Sequence, residues 1–144
     1  MINMRRVESG NILMGRLEHG SDLLESLNAI CLQENIHLGR IEALGAVQKA
    51  RIGFYNQQTR EYQFSELDQP LEILKLTGNV SLRDGAPMVH AHITLADQEG
   101  KAHGGHLADG TIVFACEFIL QVLHGPQFER GFDQETGLPL WALG

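Results

Sequence analysis

Apolar residues recur along this chain with two periods, one helical and one extended. Leu23, Leu27, Ile30 and Cys31 fall at i, i+4, i+7 and i+8, a single stripe on a helix of about 22–34. Gly20-Ser21-Asp22 stands just ahead of it, so Ser21 or Asp22 can cap the first turn, and Asp22 and Glu25 have capping-box spacing. After the helix the period becomes that of strands. The alternation predicts strands near 36–55 (broken around Gly45), 60–65, 71–82, 87–96, 102–107 and 111–123, with a short one at 11–17 before the helix. Asn56-Gln57-Gln58-Thr59 and Arg83-Asp84-Gly85-Ala86-Pro87 read as turns. With no linker, repeat or low-complexity segment, residues 1–144 form one α+β domain.

The segment T-I-V-F-A-C-E-F-I-L-Q-V-L, 111–123, is apolar at positions of both parities, the pattern of a strand covered on each face. One helix cannot cover both faces of so wide a sheet, so another subunit is expected on the second face. Composition narrows the partners. The chain has 144 residues, 43% hydrophobic and 20% charged, with a net charge of −7. That charge works against affinity for phosphate backbones, the 11 basic residues include no run of five, and an AT-hook-like Arg-Gly-Arg-Pro is absent. No window approaches eighteen apolar residues, which argues against a membrane span. The first residues lack the apolar core of a signal peptide, and Cys31 and Cys116 stand in apolar contexts without a C-x-x-C pair. Two reduced, buried thiols in a cytoplasmic protein are the expectation.

The densest chemistry lies in M-V-H-A-H-I-T-L-A-D-Q-E-G-K-A-H-G-G-H-L, residues 88–107. On a strand through V-H-A-H-I-T-L-A, Val89, Ala91, Ile93 and Leu95 share one face and His90, His92, Thr94 and Ala96 the other. Two imidazoles at i and i+2 stand about 7 Å apart along the strand, a common way to offer two nitrogens to a divalent metal such as zinc. Asp97-Gln98-Glu99-Gly100 reads as a hairpin turn. A four-residue loop would set Ala96 against Lys101 and bring His103 to the face of His90 and His92. A loop one residue longer, or a bulge, would instead set His92 against His106 and turn His103 away. Gly104-Gly105 suits a bulge, which favours His106 as third ligand with His103 near the rim. Three nitrogens and an open position are the donor set of catalytic zinc, and equally of an adventitious ion.

Glu117 interrupts an apolar strand, on the face expected to hold Val113, Ala115 and Ile119, and is the candidate catalytic acid/base or partner of a metal-bound histidine. Glu72 is a weaker candidate of the same kind. Arg40, Arg51 and Lys75 could hold an anion near the site, although solvated cations on strand faces are the plainer reading. G-x-x-x-x-G-K-S/T and G-x-S-x-G are both absent, and Ser65 and Ser81 have no base at a predictable position.

Several of these stretches together resemble the PPC (plants and prokaryotes conserved) domain, a domain found alone in prokaryotes and behind AT-hooks in plant nuclear proteins. They are Leu17-Glu18-His19-Gly20-Ser21-Asp22-Leu23, Ala43-Leu44-Gly45-Ala46-Val47, Ala50 to Tyr55, Leu71 to Val80, His90 to Asp97 and Gly104-Gly105-His106-Leu107. The resemblance implies a mostly antiparallel central sheet with one main helix and short extra helical pieces, assembled as a homotrimer. It also implies a metal on His90, His92 and His106. The plant motif Gly-Arg-Phe-Glu-Ile-Leu falls on Gln69-Pro70-Leu71-Glu72-Ile73-Leu74, and only its last three residues are kept. Three functional readings follow. One is a cytoplasmic homotrimer binding a divalent metal, zinc by donor type, with a ligand-binding or regulatory role toward a small molecule. The second is a metal-dependent hydrolase or lyase using Glu117. The third is a DNA-associated regulator, which the charge and the missing hook disfavour.

Overall fold

The computed structural model describes residues 2–144. In chain order the elements are β1 (Glu8–Leu17), α1 (Leu23–Gln33), β2 (Gly39–Asn56), β3 (Glu61–Leu67), β4 (Leu71–Arg83), β5 (Ala86–Ala96), β6 (Ala102–Leu107), β7 (Ile112–His124), β8 (Glu129–Phe132) and β9 (Pro139–Trp141). The expected helix and strands are all present. The extra helical pieces are not: among the described residues α1 is the sole helix, and the chain beyond β7 makes two short strands instead. Strands of four and three residues are too short to announce themselves by alternation. No helix among the described residues is long and apolar enough to cross a membrane.

Asp22 settles the choice of cap. Its Oδ1 accepts from the Glu25 backbone N–H at 3.0 Å, and its Oδ2 accepts from the Gly110 N–H at 2.6 Å. Ser21 turns its hydroxyl back to the Glu18 carbonyl. One carboxylate therefore satisfies a free donor of the first turn and ties the helix to the turn before β7. The helix buries Leu23, Leu27 and Cys31 against the sheet, and Asn28 accepts from the Val89 N–H at 2.9 Å, clamping α1 to β5.

β2 is the spine. Its first half pairs with β7 and β4, and its second half with β3 and β6. Since β4 also pairs with β5, and β5 with β6, strands β2, β4, β5 and β6 form a closed circuit. The core between this circuit and α1 includes Ile41, Val47, Leu76, Val80, Ile93, Leu95, Val113 and Leu120. β2 passes to its new partners from Ala50 on, and its register with β4 slips between Ala43 and Gly45, where Gly45 has φ of 141°. A side chain there would run into the Ala115 carbonyl. Every pairing is antiparallel except β4–β8, where Leu82 meets Glu129 and Arg83 meets Arg130. Cys31 and Cys116 are buried free thiols, each pushed up to about 11 by burial, so thiolate chemistry is suppressed.

The second face of the sheet is apolar and open. Ile12, Met14, Leu44, Leu74, Phe114 and Ile119 are exposed, Met14 at 75% and Phe114 at 56%. A slip of β2 against β7, from Ala46–Ala115 to Val47–Val113, turns Phe114 outward and buries Val113. Val113 is thus on the core side, not on the face of Glu117 as simple alternation implied.

Replacing Asp22 with Ala is expected to lower stability by about 2 kcal/mol, the upper range for a lost cap, because the Gly110 N–H is orphaned as well. Ser21→Ala should cost markedly less. Urea unfolding of the two variants checks the difference.

Candidate metal centre

β5 and β6 meet in an unbroken register: His92–His106, Ile93–Gly105, Thr94–Gly104, Leu95–His103 and Ala96–Ala102. The loop is therefore 97–101, the longer alternative, and Gly104-Gly105 is regular strand rather than a bulge. Asp97 closes the loop. Its Oδ1 accepts from the backbone N–H groups of Glu99 (2.9 Å) and Lys101 (3.0 Å), and its own N–H donates to the Lys101 carbonyl at 3.0 Å. The glycine at 105 has a different purpose. A β-carbon there would come within 2.7 Å of the Gly53 carbonyl, so its absence lets β6 lie against β2.

This register puts His92 and His106 directly opposite each other on the face away from the core. His90 joins them because its neighbours Val89 and Ala91 point inward and are buried. The ring centroids are 5.2 Å apart for His90–His92, 5.2 Å for His90–His106 and 5.8 Å for His92–His106. One nitrogen from each ring lies within 4.8 Å of the others. Zinc–nitrogen bonds of about 2.1 Å at tetrahedral angles need donors about 3.4 Å apart, within reach of modest ring rotation. Tyr62 lies over His106 with centroids 4.9 Å apart. Gly53 makes room for it, since a β-carbon there would press on the rings of Phe64 and Tyr62 at 3.0 and 3.2 Å.

Burial and the neighbouring imidazoles disfavour the charged form of His90 and His106. His90 is lowered to about 4, first by burial, then by His106, Arg130 and His92. His106 is lowered by burial and by His92. Neutral imidazole is the form that binds metal. His106 Nδ1 is buried without a hydrogen-bond partner, a cost of about 1–3 kcal/mol that coordination through that nitrogen would remove. The donor set and this orphaned atom both fit a divalent ion.

The other sequence candidates lie elsewhere. His103 faces away with Leu95, its Nε2 2.9 Å from Asp97 Oδ2, a contact that lowers the Asp97 carboxyl. Glu117 is exposed on β7, opposite Arg16 and Leu44, in a groove of about 680 Å³ on the open apolar face shared with Met14, Leu74 and Lys75. Glu72 is exposed beside a second groove with Gln48 and Phe114. Arg40 lies 3.7 Å from Glu42, and Arg51 is bound by Asp109 at 3.0 Å and stacked 3.9 Å above Phe64. The cations that do approach the histidines are Arg60, Arg83 and Arg130, which with Tyr62, His90 and His106 line a cavity of about 350 Å³. Spacing gave no sign of them, because β8 brings Arg130 in through its parallel pairing with a strand some fifty positions earlier.

The family model of the Plants and Prokaryotes Conserved (PCC) domain, also written PPC, matches residues 4–124. This chain belongs to that family. Among solved PCC-like structures, a protein of Archaeoglobus fulgidus described as metal-containing is 42% identical, with 97% of this chain and 99% of that one covered and a TM-score of 0.93. A plant- and prokaryote-conserved protein of Pyrococcus horikoshii is 35% identical, covering 98% and 96%, with a TM-score of 0.91. A Bacteroides thetaiotaomicron protein, conjecturally named as DNA-binding, is 26% identical, covering 95% and 97%, with a TM-score of 0.86. This chain is also similar to the bifunctional protein GlmU of Synechococcus sp. (strain JA-3-3Ab), 34% identical over 124 residues, which are 85% of this chain and only 19% of that protein.

Metal-free protein is expected to lose stability as pH falls from 6.5 toward about 4. The unfolded chain protonates His90 near 6.5, whereas the folded chain resists until about 4, so the contribution is whole above 6.5 and gone below the folded value. His90→Gln should flatten this dependence. Urea midpoints between pH 6.5 and 5, above most carboxylate titration, test it; equal slopes in both proteins would rule out His90 as the source.

Proposed function

We propose that this PCC-domain protein binds one divalent metal ion per chain through His90, His92 and His106, and that it serves as a ligand-binding or regulatory module. The observation that carries the reading is the convergence of three imidazole nitrogens within 4.8 Å. The orphaned nitrogen of His106 and the likeness to a metal-containing archaeal protein support it. Zinc suits an all-nitrogen set of three, and would supply an open, Lewis-acidic position. His90 and His92 set two donors from one strand, His106 sets the third from its neighbour, and Tyr62 shields His106 from water.

The assembly we propose is a cytoplasmic homotrimer. The apolar face carrying Met14, Leu44, Phe114 and Ile119 supports burial against further copies, since so continuous a patch is costly to leave in water. A role as a module accords with the match to a segment making up 19% of a larger bifunctional protein. The hydrolase or lyase reading loses its base, because Glu117 belongs to the groove on β7 and not to the cavity beside the histidines. The DNA-associated reading draws on family naming and works against a net charge of −7.

Chelated and remetallated protein is expected to carry one zinc per chain by elemental analysis. His106→Ala should weaken zinc binding by more than about 100-fold, beyond the usual effect of losing an outer hydrogen-bond partner. Substoichiometric metal in the wild type, or unchanged affinity in the variant, ends the assignment. In sedimentation the native mass should be three times the 16.0 kDa of one chain, and Met14→Glu with Phe114→Glu should return it to one. A wild-type monomer would refute the assembly.

A further inference from the structure

The cavity beside the histidines has an unusual charge balance. Arg83 and Arg130 are register partners on the parallel β4–β8 pair, so two guanidinium groups start from adjacent positions. Like charges so placed repel, and Arg130 is lowered first by burial and then by Arg83. Some cations of the chain do meet an acid: Arg51 has Asp109, Lys101 has Glu99 and His103 has Asp97. Among the described residues no carboxylate lies within ion-pair distance of Arg83 or Arg130, and the cavity lining contains no Asp or Glu.

Arg130 is nonetheless held firmly in place. Its Nε donates to Ser81 Oγ at 3.1 Å, Nη1 to the Pro139 carbonyl at 3.1 Å and Nη2 to Asn79 Oδ1 at 3.0 Å, all neutral acceptors. Trp141 donates to the same Ser81 oxygen, and its ring lies 5.4 Å from the guanidinium carbon. A guanidinium has five N–H donors, so two remain on the terminal nitrogens after these bonds. Arg60 is fixed at the rim by the carbonyls of Gln134 and Glu135, while Asp133, the acid closest in its influence, is engaged by Thr136. A half-buried, pre-oriented fork without an anion is a binding site for one.

We infer that this cavity takes a small molecule bearing a carboxylate or phosphate, held by Arg130 and Arg83 and directed toward the open coordination position beside His90 and His106. The inference rests on the metal reading above. A divalent ion there would add two positive charges to a space already lined by arginines and uncharged imidazoles, and an oxyanion offsets both. The volume of about 350 Å³ suits a small ligand rather than a polymer. Tyr62 and Leu138–Leu140 offer an apolar wall for the rest of the molecule.

The test uses the full chain loaded with cobalt(II), whose visible spectrum reports changes at an open position. Inorganic phosphate and benzoate are titrated separately, with chloride as control. A saturable spectral change with one oxyanion and not with chloride is expected, and the one that binds identifies the class. Arg83→Gln, at an exposed position that should leave the fold intact, and Arg130→Gln should each weaken binding about tenfold or more at unchanged cobalt content, the loss of a charge-assisted hydrogen bond. Stoichiometric cobalt with no response to either oxyanion overturns the inference, as does undiminished binding in both variants. If cobalt is not taken up, the metal reading has failed, and calorimetric titration of the metal-free chain decides the arginine pocket separately. Phosphate or benzoate binding weakened by Arg83→Gln upholds the pocket; absence of heat, or equal affinity in the variant, overturns it.

Discussion

The carboxylate of Asp97 sets the length of the β5–β6 loop, and the rest of the site depends on that length. Its Oδ1 gathers the N–H groups of Glu99 and Lys101 into a five-residue turn, so Ala96 meets Ala102 and His92 meets His106. Strand side chains alternate with a period of two, and a one-residue change of register would send His106 toward the core and His103 to the outer face. The other oxygen, Oδ2, holds His103 at 2.9 Å. The group that brings three histidines together also occupies the fourth.

The convergence of strands then builds the surroundings. β6 lies against β2 where Gly105 lacks a side chain, and Gly53 leaves room for the Tyr62 that β3 carries over His106. On the other side, β8 adds to β4 in parallel and delivers Arg130 beside Arg83. Burial and neighbouring charge disfavour protonation of His90 and His106, whereas guanidinium groups in general resist deprotonation far more strongly than imidazole. Three imidazoles thus stand beside fixed positive charge, the arrangement on which the proposed metal and anion sites rest.

The molecule divides its tasks between faces and regions. One face of the sheet, closed by α1, holds the core; the other carries an apolar patch on β1, β2, β4 and β7, with Glu117 at its groove. The histidines stand on β5 and β6, outside that groove. Glu117 therefore stands apart from the histidines, on the groove of the apolar face.

Periodicity and local chemistry determined much by themselves: the helix with its cap narrowed to Ser21 or Asp22, seven strands, the outward pair His90 and His92, and a second apolar face left for another subunit. These depend on neighbours in sequence, where the 3.6- and 2-residue periods act directly. The third histidine was legible only as a choice between registers, since loop length hinged on side-chain bonds that Asp97 forms after folding. The predicted kink at Gly104-Gly105 misread glycines that serve close strand approach. Tertiary structure alone decided the slip that buries Val113, the short strands β8 and β9, and the arrival of Arg130 beside Arg83. Those features arise from pairing between distant segments, whose energies are spread over contacts that no local pattern in the chain encodes.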